Sequence, residues 1–368
     1  MESNPLQSGT PVTVLTGFLG SGKTTLLRRA LSAPEFSDTA VVINEAGEIA
    51  IDHYLVDFVA GDVVELPGGC LCCAVREDLA QTLRSLVERR DAGDIRAFRR
   101  IVVETSGLAD PAPILFTLGA DPLLDQRLRL GRVVTVVDAV AGAATLERFA
   151  EAARQVAVAD AVAVSKTDLA PFGATLAARL DALNPAAERI LGVATTDPAM
   201  VLFGPHPNPP PPAGEGARGA ASNNAPLLPS PAGGGGQGGG RPHAEHSHDI
   251  ATLTLVLNAS ISRLEFARAL GGLAQDRGND LLRVKGIVAF ADRAGPDGLA
   301  RPAIVQAAQH AMYAPEWLDD WPDADHRSRL VFIVHDIAAQ EILDRFAFAA
   351  PVLLQNRSPG RRRETKFS

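Results

Sequence analysis

Five short runs of apolar residues, each ending on polar side chains, divide the first half of the chain. Val12-Thr13-Val14-Leu15 leads into a glycine-rich stretch, and Ala40-Val41-Val42-Ile43 ends at Asn44-Glu45. Ile101-Val102-Val103 ends at Glu104, Val133 to Val137 at Asp138, and Ala161-Val162-Ala163-Val164 at Ser165-Lys166. The segments between them, such as Asp78 to Arg90 and Leu146 to Ala159, read as helices. Continuous Val/Ile/Ala runs without polar alternation belong to strands buried on both faces, so the pattern predicts an α/β fold with a mainly parallel sheet. Ligands in such folds bind beyond the carboxyl ends of the strands. The polar residues closing these runs therefore point to a single site.

The 368 residues are too many for one ordinary domain. Between Gly204 and Pro242, 21 of 39 positions are Gly or Pro, which rules out a packed element there. Beyond this break, Ile250 to Leu257, Leu281 to Phe290, Pro302 to Ala308 and Leu330 to Val334 read as strands. Ser262 to Gln275 and Ala338 to Phe346 read as helices, giving a smaller α+β domain. The expected organisation is a first domain over 1–203, a disordered linker over 204–249, a second domain over 250–352 and a basic flexible tail over 353–368.

Bulk properties remove whole classes. A net charge of −8 argues against a general nucleic-acid binder, and no apolar run reaches the length of a membrane span. The first residues lack the basic start of a secretory signal, so a cytoplasmic location is expected. The chain has 3 cysteines, Cys70, Cys72 and Cys73, and an odd cluster of this kind is not a disulfide framework.

Gly17 to Thr24 fits G-x-x-x-x-G-K-[ST] at every fixed position, with a strand before it and a helix after it. Such glycines let successive backbone N–H groups surround phosphate oxygens. Lys23 then supplies charge to the β and γ phosphates, and the Thr24 hydroxyl is placed to ligate Mg²⁺. The phosphate site is assigned to Gly17, Gly20, Ser21, Gly22, Lys23, Thr24 and Thr25 of a P-loop NTPase domain. Ser165-Lys166-Thr167-Asp168 is similar to the guanine-reading N-K-x-D motif, with Ser165 in place of Asn. The Asp168 carboxylate can accept from guanine N1–H and the exocyclic amine, whereas adenine has no donor at N1, so GTP is expected over ATP. Glu104 in Glu104-Thr105-Ser106-Gly107 is expected in the Mg²⁺ shell, and Gly107 in a segment that approaches the γ-phosphate. Glu45 and Glu48 can orient attacking water, complete the Mg²⁺ shell or bind a second metal. Lys23, Glu45 and Glu104 are the candidate catalytic residues.

Gly68-Gly69-Cys70-Leu71-Cys72-Cys73 concentrates every thiol of the chain within four residues. Thiolates suit Zn²⁺, Cu⁺ or Co²⁺, and three of them leave a fourth position open, which favours transfer over storage. His243, His246 and His248 close the Gly/Pro break and form a short tract of the kind that binds transition metals weakly. Two other readings stand beside a metal-handling GTPase: a P-loop ATPase or kinase with structural cysteines, and a GTP-binding metal buffer or adaptor without useful turnover.

The P-loop, Asn44-Glu45-Ala46-Gly47-Glu48, the cysteine cluster, Glu104 to Pro111 and Ser165 to Asp168 follow the order seen in CobW-type GTPases, and the chain resembles that family. The second domain is similar to theirs through Leu281 to Gly286 and Ser328 to Phe332. The resemblance implies a SIMIBI-class GTPase acting as a metallochaperone. It would hold Zn²⁺ or Co²⁺ at Cys70, Cys72 and Cys73, and pass it to a client metalloprotein when GTP is hydrolysed.

Overall fold

A computed structural model describes residues 9–44, 63–65, 74–204, 250–294 and 300–357. The first half contains β1 (Thr10–Thr16), α1 (Lys23–Leu31), β2 (Thr39–Asn44), β3 (Val63–Glu65), α2 (Ala74–Ala92) and β4 (Arg100–Thr105). There follow α3 (Ala112–Ala120), α4 (Pro122–Arg127), β5 (Leu128–Asp138), α5 (Gly142–Arg148), α6 (Ala150–Ala157) and β6 (Ala161–Ser165). It closes with α7 (Ala174–Leu183), β7 (Glu188–Leu191) and α8 (Pro198–Phe203).

These strands form one seven-stranded sheet in the order β3-β2-β4-β1-β5-β6-β7, with every neighbouring pair parallel. Val12, Val14, Val102, Val103, Val133, Val134 and Val136 of the central strands are fully buried. Each such side chain contributes about 1.5–3 kcal/mol on burial, which is why unbroken Val runs settle in the middle of the sheet. The fold is the expected α/β arrangement, and the P-loop, Glu104, Asp138 and Ser165 share the carboxyl edge.

Two local readings change. The helix expected over Leu146 to Ala159 is two helices, because Phe149 is extended (φ −124°, ψ 116°) between α5 and α6. The extended backbone lays the Phe149 ring on that of Phe18, with centroids 4.6 Å apart. Stacking of this kind is worth about 0.5–1.5 kcal/mol beyond the buried area. Strand β7 escapes the sequence pattern because it is a short edge strand with its Glu188 and Leu191 exposed.

The second half comprises β8 (Ile250–Leu257), α9 (Arg263–Arg277), β9 (Leu281–Ala294), β10 (Ala300–Ala308), β11 (Ala311–Met312) and β12 (Glu316–Trp317). It ends with β13 (Ser328–His335), α10 (Ala339–Arg345) and β14 (Pro351–Arg357). An antiparallel sheet orders them β11-β10-β9-β13-β8-β14, with β12 on β10. Helix α9 starts at a capping box, in which Ser262 Oγ accepts from Glu265 N and the Glu265 carboxylate accepts from Ser262 N. Its apolar face packs Phe266 against Phe290 and Phe346. Strand β14 takes in the first residues of the expected tail: residues 353–357 pair with β8, with a register shift between Leu353 and Gln355.

The two sheets share side chains. Ile250, Leu282, Val331 and Ile333 of the second belong to the same buried cluster as Leu130 of the first and Leu118 and Leu183 of its covering helices α3 and α7. Thr252 Oγ1 donates to the Leu183 carbonyl (3.1 Å) and the Tyr313 hydroxyl to the Leu115 carbonyl. Asp160, at the amino end of β6, accepts from Lys285 Nζ (3.0 Å) and Arg283 Nη2 (3.3 Å). The second sheet therefore docks at the edge opposite the P-loop. Trp317 of β12 is half-buried, its ring centroid 5.6 Å from that of Phe290.

Candidate functional site

The loop between β1 and α1 is bent by glycines in conformations that other residues rarely adopt: φ is +143° at Gly17, +70° at Gly20 and +101° at Gly22. A Cβ at Gly17 would lie 2.4 Å from the Val136 carbonyl oxygen, so the loop needs glycine there for space as well. Gly22 caps α1 and accepts Leu26 N–H at 3.0 Å, aiming the first turn of the helix into the loop. The N–H groups of that turn have no intrahelical acceptor and carry the positive end of the helix dipole, which makes a ready anion cradle. Ser21 Oγ is buried in the loop and has no hydrogen-bond partner among the described residues.

Lys23 is 8% exposed, and its Nζ donates to the Gly17 carbonyl at 2.8 Å. Thr24 Oγ1 donates to Glu104 Oε1 at 2.9 Å, which brings together the hydroxyl and the carboxylate that the sequence separates by 80 positions. Both are hard oxygen donors and suit Mg²⁺ in identity and placement. Thr25 points outward on α1 and is exposed.

The Glu104 strand runs on into a segment pressed against the P-loop. A Cβ at Gly107 would meet the Leu19 side chain at 2.5 Å and its backbone at 2.8 Å. Ser165 reaches the P-loop from the other side, its Oγ donating to the Ser21 carbonyl at 2.5 Å. The residue that departs from Asn thus ties the β6 motif to the phosphate loop. Lys166 takes a left-handed φ of +56°, rare for a non-glycine residue, and its ammonium pairs with Asp138. Burial pushes the Asp138 carboxyl up, but the Lys166 ammonium and the N–H groups of Ala141 and Val140 outweigh it and hold the group below its usual range. Asp168, two residues beyond Lys166, is exposed.

Glu45, Cys70, Cys72 and Cys73 lie outside the described residues, as do His243, His246 and His248. Among the described residues no cluster of three His, Cys, Asp or Glu side chains could hold a metal ion. Among them, too, no helix is long and apolar enough to cross a membrane.

Sequence reasoning missed Asp138 as a partner and Gln155 altogether. The first stood out only as a strand end. Gln155 lies within a helical run and carries no motif, and its one signal is a polar residue set among Ala152, Ala153 and Val156 on a buried face.

The fold and loop define a P-loop nucleotide-binding protein. The description of the CobW/HypB/UreG nucleotide-binding domain matches residues 11–190, and that of the cobalamin synthesis protein CobW C-terminal domain matches residues 250–350. Zinc chaperone YjiA of Escherichia coli is 32% identical over 338 residues, covering 91% of this chain and 97% of that protein. Zinc chaperone CobW of Pseudomonas aeruginosa is 43% identical over 143 residues, 36% of either chain. The crystal structure of Zn(II)-bound YjiA GTPase from E. coli aligns with a TM-score of 0.61 and 28% identity, over 93% of this chain and 99% of that one. The chain belongs to the CobW/HypB/UreG family.

Proposed function

We propose that this protein is a GTP-hydrolysing metallochaperone that carries Zn²⁺ or Co²⁺ on Cys70, Cys72 and Cys73 and delivers it to a client metalloprotein. The observation that carries the reading is the junction of Ser165 with the P-loop, which sets a guanine-type motif and a phosphate cradle edge to edge. The names of the long-matching relatives, a zinc chaperone and a Zn(II)-bound GTPase, support the cargo and the nucleotide.

In this reading Lys23 exchanges the loop carbonyls for the β and γ phosphates, and Asp168 accepts from the guanine edge. Lys166, fixed by Asp138, lays its stem along the base. Thr24 and Glu104 would hold Mg²⁺, which when bound neutralises charge on the phosphate oxygens. Glu45 orients the attacking water. The three cysteines fall in sequence between Glu45 and Glu104, so contacts to the γ-phosphate would order the thiolate-bearing loop and hydrolysis would release the metal.

The test is a metal-competition titration of the purified protein loaded with a non-hydrolysable GTP analogue or with GDP, beside phosphate release with and without Zn²⁺. Tighter Zn²⁺ binding in the analogue state, lost in Cys72→Ala, is expected. Identical affinities in both states would remove the coupling. Asp168→Asn should shift the preference from guanosine toward xanthosine nucleotides, because the amide can donate to the extra xanthine carbonyl.

A further inference from the structure

Beyond the P-loop itself, the strand end that faces a triphosphate is held at two points. Glu104 is tied to Thr24 (2.9 Å). Three residues on, the backbone is gripped from below by a side chain of α6. Gln155 Nε2 donates to the Gly107 carbonyl at 3.2 Å and to the Ala109 carbonyl at 3.0 Å. Both partners are carbonyl oxygens, so the group facing them must be the NH₂, and the orientation of the amide is settled by chemistry.

The anchor is itself fixed. Gln155 is fully buried, and its own backbone carbonyl, in the last turn of α6 where helix acceptors lack partners, accepts from Thr135 Oγ1 of β5 at 2.6 Å. Arg154 beside it reaches Asp110 at 3.5 Å. Residues 107–109 are thus clamped between Leu19 of the P-loop, which leaves no room for a Cβ at Gly107, and the Gln155 amide. A trans peptide sets N–H opposite C=O. Holding the Gly107 carbonyl down on α6 therefore turns the Leu108 N–H away from α6.

We propose that Gln155 is a positioning residue for the GTP state. By fixing the Gly107 and Ala109 carbonyls it presets the segment that follows Glu104 for the terminal phosphate, and it acts on no part of a diphosphate complex. The inference rests on the GTPase reading above. The distinction between nucleotides follows from reach. The cradle of Gly17 to Thr24, with Glu104 tied to it, serves both nucleotides, whereas the segment from Gly107 on would meet only the third phosphate.

Two substitutions separate positioning from packing. Gln155→Leu keeps the bulk and removes the donor. Gln155→Glu keeps the shape and sets a carboxylate against two carbonyl oxygens. Equilibrium binding of fluorescent GDP and of a fluorescent non-hydrolysable GTP analogue is measured with Mg²⁺ present, together with kcat, KM and the melting midpoint. GDP affinity is expected to stay within about twofold of wild type in both variants. Analogue affinity should fall about tenfold, about 1.4 kcal/mol, and kcat should fall with it, more in Gln155→Glu than in Gln155→Leu. The proposal is overturned if GDP and analogue affinities fall in the same proportion, or if neither changes in a variant that melts like wild type. Wild-type protein that binds no guanine nucleotide would instead overturn the GTPase reading.

Discussion

At the residue scale the site depends on contacts too close to admit change. Gly107 has no unusual backbone angle that would demand glycine; what demands it is Leu19, whose backbone would stand 2.8 Å from an added Cβ. Gly107→Ala must therefore push the P-loop or the Glu104 strand aside. With overpacking at about 1–3 kcal/mol, a loss of roughly tenfold or more in GTP affinity is expected by isothermal titration, and unchanged affinity would show that the loop yields freely. The Asp138–Lys166 pair makes a second prediction. A carboxyl held below its usual range contributes above that range and loses its contribution as pH falls through its own depressed pKa. The pair should stay intact through neutral pH, so Asp138 should add no inflection to nucleotide affinity between about pH 5 and 8. Asp138→Asn should weaken guanine-nucleotide binding at every pH in that window, because Lys166 loses the partner that sets its direction. An inflection near pH 6 that vanished in Asp138→Asn would contradict the assignment. The P-loop, Glu104 and the β6 motif were legible because their chemistry needs fixed residue types at fixed spacing. Gly107 was legible as a close approach but not in its partner, since Leu19 and Gly107 are 88 positions apart and nothing local couples them.

At the element scale, periodicity located the buried strands well and missed the interruption at Phe149. A helical run from Leu146 to Ala159 satisfies local propensity, yet the ring stack on Phe18 and the reorientation of α6 override it. The break is what lets α6 run beneath the Gly107 segment with Gln155 facing it. Phe149→Ala removes the stack while leaving α6 its helix-forming residues, so it should cost about 3–5 kcal/mol at most, less to the extent that Phe149 is 36% exposed. Chemical denaturation reads the loss, and a GTP affinity that falls more than GDP affinity would link the stack to the P-loop. Strands β7 and β14 were illegible for a different reason. Edge strands bury one side or less, so their sequences carry polar residues that read as loop or tail until their partners are known.

At the scale of the whole molecule, the two sheets bury side chains and a charged set together. Asp160 sits 3% exposed between Arg283 and Lys285, and burial pushes the Lys285 ammonium down while Asp160 opposes that shift. One carboxylate among buried cations is stabilising only while it is present. Removing one member of such a set leaves uncompensated charge and costs about 3–5 kcal/mol. Asp160 is also three residues beyond the end of α6, so the junction with the second sheet and the Gln155 anchor are mounted on one short stretch of chain. This arrangement separates connection from attachment. A protease site placed within 205–249 and cut in the folded protein should give two fragments that co-elute on size exclusion and still bind GTP. The same cut in Asp160→Asn should yield fragments that separate at low micromolar concentration, since the docking would have lost its only acid between Arg283 and Lys285 among the described residues. If the wild-type fragments part as readily as those of the variant, the buried charge set is incidental and the peptide connection holds the sheets together.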